Sequence, residues 1–281
     1  MQINNSVAVI TGAGSGIGRA LAIQCAQKGA QLALADANRE TLDETFRLLG
    51  KAPARTYLVD VGDASAMQNF AGDVQRDFGR ASLLINNAGV ALYGTFAELT
   101  LQEFEWLFRI NFWGVIHGCK FFLPILQQEK QSRIVNISSV FGLIGPPGQT
   151  PYASSKFAVR GFSESLRGEL RTTSVGVTCV HPGGIRTNIA NNGRAGSSTD
   201  PQGQQEARAL FNKIAHSTPE YAAHVIISGI EKNKDRVLIG KDAYQIDRTA
   251  RLFPNRAGTI FANYLEKRRA KVVKSLPAAA K

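Results

Sequence analysis

A tyrosine and a lysine in this chain, Tyr152 and Lys156, have the types and spacing needed for acid–base chemistry. They stand four positions apart, so on a helix their side chains leave the same face about one turn apart. A lysine ammonium near a phenol, with a positively charged ligand close by, favours the phenolate and lowers a pKa that is ordinarily ~10. A tyrosine tuned in this way transfers protons at neutral pH.

A serine precedes this pair at a suitable distance. Ser139 lies thirteen residues before Tyr152 and follows the apolar run 133–137, which predicts a buried strand. A hydroxyl at the carboxyl end of a strand can hydrogen-bond an oxygen that the tyrosine protonates. A Tyr-x-x-x-Lys pair alone is weak evidence, because such pairs also occur on solvated helix faces, so the elements around it decide its meaning.

The chain begins with the elements of a dinucleotide site. Residues 6–11 form an apolar run, the turn Gly12-Ala13-Gly14-Ser15-Gly16-Ile17-Gly18 follows, and an amphipathic pattern continues to about Lys28. A strand, a glycine turn and a helix in this order let the backbone approach a pyrophosphate, which the N–H groups and dipole of the helix amino terminus then bind.

Asp36 ends the next apolar run, 31–35, about twenty residues past the glycine turn. A carboxylate there accepts hydrogen bonds from a ribose diol and repels a 2′-phosphate, which favours NAD over NADP. Two alternatives stay open: Asp36 is an ordinary helix N-cap, or the neighbouring Arg39 binds the 2′-phosphate and NADP is the cofactor.

Apolar runs and amphipathic segments alternate along the rest of the chain. This alternation predicts a single α/β domain with a doubly wound, Rossmann-type parallel sheet. Ligands of such sheets bind outside the carboxyl ends of the strands. The positions expected at that edge are Gly12–Gly18, Asp36, Asp60, Asn87-Ala88-Gly89, Ser139 and the stretch Pro182–Thr187.

Composition narrows the class of protein. Of 281 residues, 44% are hydrophobic and 20% charged, which is ordinary for a soluble globular protein. No apolar run is long enough to span a membrane, and the first residues lack the pattern of a secretory signal. Three distant cysteines and four scattered histidines predict neither disulfides nor a metal site, so we expect a cytoplasmic protein.

The positive charge is concentrated at the end of the chain. The last fifty residues hold thirteen Lys or Arg and four Asp or Glu, which is +9 of the formal charge of +11. Helices are predicted over 242–252 and 258–273. The second could cover a substrate cleft, form a subunit interface or rest on a membrane surface. A solvated tail, a nucleic acid and an acidic partner are further alternatives, although no nucleic-acid recognition motif is present.

Taken together, these motifs resemble the classical short-chain dehydrogenase/reductase family. The similarity covers about residues 6–188, in the family's order and spacing. Its motifs are Thr11-Gly12-Ala13-Gly14-Ser15-Gly16-Ile17-Gly18, Asp60-Val61, Asn86-Asn87-Ala88-Gly89, Asn111, Ser139, Tyr152-x-x-x-Lys156 and Pro182-Gly183-x-Ile185-x-Thr187.

The resemblance implies a nicotinamide-dependent oxidoreductase and a role for each motif residue. Tyr152 is implied as the general acid/base, Lys156 as the group that lowers its pKa and holds the nicotinamide ribose, and Ser139, ahead of its rival Ser138, as the group that orients the substrate oxygen. Asn111 would anchor a proton-relay water. The implied cofactor-binding residues, besides Tyr152 and Lys156, are Gly12, Ser15, Gly16, Ile17, Gly18, Asp36, Asp60, Val61, Asn87, Ala88, Gly89, Pro182, Gly183, Ile185 and Thr187.

The resemblance also leads to expectations about organisation and substrate. We expect a catalytic domain over 1–240, a substrate loop at about 188–218, a basic helical extension over 241–281 and a homodimer or homotetramer. The substrate expected is a small, apolar secondary alcohol or carbonyl compound, because aromatic residues are predicted near the cleft: Tyr93, Phe96, Phe141, Phe211 and Phe253. The alternative function is a catalytically silent dinucleotide-binding sensor or scaffold on the same fold.

Overall fold

The structure, a computed structural model, describes residues 1–189 and 191–273. Its strands are β1 (Val7–Thr11), β2 (Gln31–Asp36), β3 (Ala54–Leu58), β4 (Leu83–Asn86), β5 (Leu92–Tyr93), β6 (Ser132–Ile137), β7 (Val175–Pro182), β8 (Arg194–Ala195) and β9 (Arg236–Ile239). Its helices are α1 (Gly16–Gln27), α2 (Arg39–Leu48), α3 (Ala64–Phe78), α4 (Leu101–Phe108), α5 (Gly114–Leu126), α6 (Thr150–Glu169), α7 (Pro201–Ile214), α8 (Pro219–Glu231), α9 (Lys241–Leu252) and α10 (Ala257–Val273).

Seven strands form one parallel sheet in the order β3-β2-β1-β4-β6-β7-β9. The order runs backwards from β1 to β3 and forwards from β4 to β9, so it reverses between β1 and β4. This reversal is the topological switch point at which open α/β sheets bind ligands. The predicted doubly wound parallel sheet is confirmed.

Both faces of the sheet are covered, as the continuous apolar runs predict. Alternate residues of β1 and β2 enter different cores: Ile10 and Leu34 pack with α1 and α8. Val9 and Ala33 pack on the other face with α3, α5 and α6. This division follows from the two-residue period of a strand, which directs neighbouring side chains to opposite faces.

Two features were not predicted. A π-helical turn, Arg109–Trp113, interrupts the helix expected over 101–129 and separates α4 from α5. A second, two-stranded parallel sheet joins β5 to β8, so part of the expected substrate loop is paired to the chain after β4. The last strand, β9, pairs with β7, and the two helices predicted after it are confirmed as α9 and α10.

Glycine is required in the turn between β1 and α1. Gly12 and Gly16 have positive φ angles of 64° and 52°, which favour glycine. At Gly18, on the first turn of α1, a Cβ atom would overlap the Gly12 carbonyl oxygen and lie 2.6 Å from Asn87 Nδ2. The helix therefore packs against the turn more closely than any side chain allows.

We expect Gly18→Ala to destabilise the fold by about 1–3 kcal/mol, because the added methyl group has no room. Gly161→Ala is the matched control: Gly161 lies inside α6, and a Cβ there meets nothing within 4 Å. The control should be neutral or stabilising by up to ~1 kcal/mol. Urea unfolding of both variants measures the difference, and equal stabilities would contradict the close packing of α1 on the turn.

Candidate active site

The tyrosine and lysine of the site lie on the first turns of α6. Pro151 favours the start of this helix, because its fixed φ suits the first turn and its missing N–H needs no partner there. Lys156 is buried, and its Nζ lies 5.7 Å from the centre of the Tyr152 ring and donates to the Ile137 carbonyl oxygen at 3.0 Å. The last residue of β6 thus fixes the ammonium beside the phenol.

Burial shifts the pKa of both groups towards their neutral forms. It raises the pKa of Tyr152 to about 12, against the opposing effect of a hydrogen bond with Ser139, and it lowers the pKa of Lys156 to about 8. The protein's own groups therefore do not lower the pKa of Tyr152 as expected. The other cause named for that lowering is a positively charged ligand close to the phenol.

The two candidate serines point in different directions. The Ser139 side chain hydrogen-bonds Tyr152, and its Oγ accepts the Phe141 N–H at 3.1 Å in the 3₁₀ turn that follows β6. Ser138 is buried and donates to the Lys156 carbonyl oxygen at 2.8 Å. The structure thus brings Ser139, and not Ser138, to the phenol.

A histidine that the sequence did not single out supports Ser139 from behind. His181 is fully buried near the end of β7, and its Nδ1 lies 3.1 Å from the Ser139 carbonyl oxygen. A carbonyl oxygen only accepts, so Nδ1 carries the proton, while Nε2 is buried without a hydrogen-bond partner in the described structure. Burial, together with the nearby Arg236 and Arg160, lowers the pKa of His181 to about 4, against the raising effect of its hydrogen bond to the Ser139 carbonyl oxygen.

Asn111 lies in the π-helical turn and is fully buried. Its Oδ1 accepts the Val90 N–H at 2.8 Å, and its Nδ2 donates to the Val90 carbonyl oxygen at 3.0 Å. Gly89 lies close to both Asn111 and Lys156, because a Cβ there would be 3.3 Å from Asn111 Oδ1 and 3.5 Å from Lys156 Nζ. Single π-turns often occur at functional sites.

Thr11 ties the glycine turn to the end of β4. Its Oγ1 accepts the N–H groups of Asn87 and Ala88, both at 3.1 Å. The Asn87 amide nitrogen donates in return to the carbonyl oxygens of Thr11 and Gly12, at 3.0 and 3.1 Å. These bonds hold Gly12 and the 87–89 segment together at the switch point of the sheet.

The acidic residue after β2 closes the other side of the glycine turn. Asp36 Oδ2 accepts the Gly14 N–H at 2.8 Å, and its Oδ1 accepts the Asn38 N–H at 2.9 Å. A cavity of about 410 Å³ lies here, lined in part by Ser15, Asp36 and Arg19. The N-cap of α2 is Asn38, which rules out the alternative that Asp36 caps that helix.

Two arginines near this cavity are already paired. Arg39 is half exposed and lies 3.9 Å from Asp43 one turn along α2. Arg19, which the sequence did not indicate, donates its Nη2 to the Gly14 carbonyl oxygen and to Glu44 Oε2, both at 2.6 Å. The cavity therefore has two carboxylates, Asp36 and Glu44, beside one arginine that is held by its neighbours.

The remaining predicted positions lie after β3 and β7. Asp60 forms an ion pair with Arg109 at 2.8 Å, and Val61 is buried beside it.

After β7, Gly184 donates its N–H to Asp242 Oδ2 at 2.7 Å, and a Cβ on Gly183 would overlap the same carboxylate. Pro182 is the last residue of β7. Ile185 is buried and forms an isolated parallel bridge with Ser217. Thr187 lies over the glycine turn, where a Cβ on Gly16 would be 3.1 Å from its methyl carbon.

Aromatic rings form one wall beside Tyr152. Phe141 contacts Tyr152 edge-on with ring centres 6.1 Å apart, and Phe261 of α10 contacts Phe141 at 6.0 Å. Tyr93 is buried and packs with Phe211 of α7. Phe96 and Phe253, expected near the cleft, are exposed, whereas Phe261 belongs to the helix for which covering the cleft was one of the expected alternatives.

The segment after Thr187 is held against the rest of the domain. Ser197 donates its N–H to Glu103 Oε1 at 2.7 Å, and the Arg194 guanidinium lies 4.0 Å from the centre of the Trp106 ring. Glu206 of α7 is buried and pairs with Arg269 of α10 at 2.8 Å. The helical part of this segment is confirmed as α7, which α10 contacts directly.

Comparison with known proteins gives consistent results. The family model "short chain dehydrogenase" matches residues 6–198. The Mycobacterium tuberculosis protein named "Putative oxidoreductase SadH" is 43% identical over 89% of this chain and 92% of its own length. Epidermal retinol dehydrogenase 2 of Mus musculus is 33% identical over 94% of this chain and 83% of its own length. The crystal structure of a Burkholderia phymatum short-chain dehydrogenase/reductase in complex with NAD has a TM-score of 0.83 and 31% identity, covering 89% of this chain and 94% of that one.

We expect His181 to make the fold sensitive to acid. The folded chain keeps this imidazole neutral down to a pKa of about 4, whereas the unfolded chain takes up a proton near pH 6.5, so stability is lost as the pH falls between these values. The loss from this residue should reach about 2–3 kcal/mol at the acid end.

His181→Asn should therefore lose less stability than the wild type between pH 7 and 4.5, although it starts lower. His216→Asn, which changes an exposed histidine, is the matched control and should follow the wild type. Urea unfolding at both pH values gives the comparison. Parallel curves for all three proteins would show that His181 is not the acid-sensitive group.

Proposed function

Because the chain belongs to the short-chain dehydrogenase/reductase family of oxidoreductases, we propose that it interconverts an apolar secondary alcohol and the corresponding carbonyl compound with NAD as cofactor. The observation that carries this proposal is the arrangement of Ser139, Tyr152 and Lys156 at the carboxyl edge of the sheet, beside the glycine turn. A proton-transfer group and a dinucleotide site on the same edge are what such a reaction requires.

The residues at the switch point fit a dinucleotide. Gly12, Gly14 and Gly16 leave a cradle that side chains would fill, since a Cβ on Gly14 would lie 2.5 Å from Thr41 Oγ1 and 2.8 Å from Asp36 Oδ2. The amino terminus of α1, capped only by Ser15 without a side-chain hydrogen bond, presents free N–H groups to a pyrophosphate. Asp60 and Val61 would meet the adenine, Asn87 to Gly89 would line the cofactor, and Pro182, Gly183, Ile185 and Thr187 would hold the carboxamide end.

The protein's own part in the chemistry is to place the substrate and move one proton. The nicotinamide, when bound, supplies or accepts the hydride. Ser139 orients the substrate oxygen, and Tyr152 gives a proton to that oxygen or takes one from it. Lys156, held by Ile137, keeps a positive charge beside the phenol, and Asn111 anchors the path by which the proton reaches solvent.

Charge at the cavity beside Asp36 supports NAD over NADP. Asp36 and Glu44 give this cavity two carboxylates, which would repel a 2′-phosphate bound there, and Arg19 is already bonded to Glu44 and Gly14. Arg39, the residue that would favour NADP, leans towards Asp43. Like charges at this distance disfavour a phosphate.

The substrate and assembly are inferred from the surfaces beside the site. The wall formed by Phe141 and Phe261 favours an apolar substrate, and a relative named for retinol, an apolar alcohol, is consistent with this. Trp113 and Phe157 are exposed on the outer faces of the π-helical turn and α6, which supports a homodimer or homotetramer through these helices.

We expect Tyr152→Phe to keep NADH binding and to lower turnover by about 10²–10⁴-fold, because the transferable proton alone is lost. Tyr221→Phe, at an exposed tyrosine on α8, is the control and should keep full activity. Nicotinamide fluorescence measures binding, and a panel of apolar secondary alcohols with NAD measures turnover. Near-normal turnover in Tyr152→Phe would overturn the mechanism. A wild-type protein that binds NADH but turns over no substrate would instead support a silent sensor.

We expect Asp36→Asn and Asp36→Ala to reduce the preference for NADH over NADPH by about tenfold, since one negative charge beside the 2′-phosphate is removed. The asparagine variant keeps an acceptor for the Gly14 N–H, so it separates charge from support of the turn. Asp73→Ala on α3 is the control. An unchanged ratio of dissociation constants in the Asp36 variants would show that another residue selects the cofactor, and Arg39→Ala then tests the rival.

A further inference from the structure

A cluster of large apolar side chains lies on the outer surface at the junction of α9 and α10. Leu252 is 68% exposed, Phe253 52%, Ile260 45% and Tyr264 44%. We call these four residues the apolar patch. Soluble monomers rarely expose a contiguous patch of this kind without a binding role.

Part of the apolar patch lies on one face of α10. Ile260 and Tyr264 stand four residues apart, and the exposed Lys267 follows three residues later on the same face. Leu252 and Phe253 belong to the end of α9, and the Phe253 carbonyl oxygen accepts the Ala257 N–H at 2.8 Å, which brings them to the start of α10. Two other residues of α10 face inward: Ala257 is buried, and Phe261, next to Ile260, contacts Phe141. The apolar patch therefore borders directly on the side of α10 that lines the candidate active site.

The charge around the apolar patch is strongly positive. Residues 241–273 contain eight Lys or Arg and three Asp or Glu. Arg248, Arg256 and Lys267 are exposed and form no ion pair with the described part of the chain. Of the acidic residues in this range, Asp247 is paired with Arg236 and Arg251, and the exposed Glu266 next to Lys267 offsets one of the cations.

Exposed apolar side chains, with cations in the same segments that form no ion pair within the described structure, suit one occupant best. The headgroups of an anionic bilayer attract the cations, while its acyl boundary takes up the apolar residues. A second copy of this chain would bring the same cations against one another, and a nucleic acid would leave Leu252, Phe253 and Ile260 without an apolar partner.

A row of aromatic rings runs from the apolar patch to the tyrosine of the site. Tyr264 stacks on Phe261 with ring centres 6.0 Å apart, Phe261 contacts Phe141 at 6.0 Å, and Phe141 contacts Tyr152 at 6.1 Å. The surface that would touch a bilayer thus lies at one end of a line of packed rings whose other end is Tyr152.

We propose that the apolar patch and its cations dock the protein on the surface of an anionic lipid bilayer, so that an apolar substrate reaches the site from the membrane. Within the described residues no helix is long and apolar enough to cross a membrane, so this contact is peripheral. The docking goes beyond the proposed function, and only the delivery of substrate rests on it.

Co-sedimentation of the full chain with vesicles tests the docking without any assay of activity. We expect binding to vesicles of phosphatidylcholine with phosphatidylglycerol, little binding to phosphatidylcholine alone, and weaker binding as salt is raised. Phe253→Ser with Ile260→Ser, and separately Arg256→Gln with Lys267→Gln, should each weaken binding by about tenfold or more.

Matched controls come from the opposite edge of the sheet, on α2 and just after it. Phe46→Ser with Leu48→Ser removes two equally exposed apolar residues, and Arg47→Gln with Lys51→Gln removes two cations. Both controls should bind as the wild type does. Absence of vesicle binding, or equal losses in the controls, would overturn the proposal. The proposal would also be overturned if the wild type bound no vesicles and the apolar-patch variants differed from it in the molar mass measured by sedimentation. That result would assign the apolar patch to contact with a second copy of the chain.

Discussion

The candidate site depends on one set of hydrogen bonds, those that join Thr11 at the end of β1 to Asn87 and Ala88 after β4. These two strands are neighbours at the point where the sheet order reverses, so the bonds connect its two halves. On one side lies the glycine turn, which fits a pyrophosphate. On the other lie β6 and α6, which carry Ser139, Tyr152 and Lys156. The reaction proposed here needs a hydride and a proton at adjacent atoms, and a loop could not hold two such groups in register as firmly as two paired strands do.

Burial is the common cause of the shifted pKa values in the candidate site. Burial favours the neutral forms of Tyr152, Lys156 and His181, raising the pKa of the phenol to about 12 and lowering the other two to about 8 and 4. For His181 this has a structural consequence, because the single N–H of the neutral imidazole donates a hydrogen bond to the Ser139 carbonyl oxygen and so holds the turn that carries the serine. For Tyr152 it means that the protein alone keeps the proton on the phenol. In the proposed oxidation, the positive charge needed for release would come from the oxidised nicotinamide together with the lysine.

The features of the fold and site that could be predicted are those that depend on residues close together in the sequence. Buried strands appear as apolar runs, the glycine turn appears as spaced glycines, and Tyr152 and Lys156 share a helix face because they are four residues apart. The missed parts are contacts between distant segments. Arg19 meets Glu44 twenty-five positions away, His181 meets Ser139 across forty-two, and Phe261 reaches Phe141 from the far end of the chain. A sequence shows the type of each of these residues, but the choice of partner is made by tertiary packing. The π-helical turn was missed as well, and its Asn111 bonds the Val90 backbone twenty-one positions away.

In the proposed function, cofactor selection and substrate binding would use different parts of the structure. The charge that would select the cofactor lies near β2 and α2, where Asp36 and Glu44 outnumber the paired Arg19. The wall that would meet the substrate is completed by the end of the chain, where α10 places Phe261 against Phe141 and is anchored to α7 by the ion pair of Arg269 and Glu206. The family model ends at residue 198, before α7 and α10, so Phe261 lies outside the matched pattern, whereas Phe141 lies inside it. In the proposed reaction, the groups that transfer the proton and bind the cofactor would thus come from the matched residues, whereas the surface that meets the substrate would be completed by a segment beyond them.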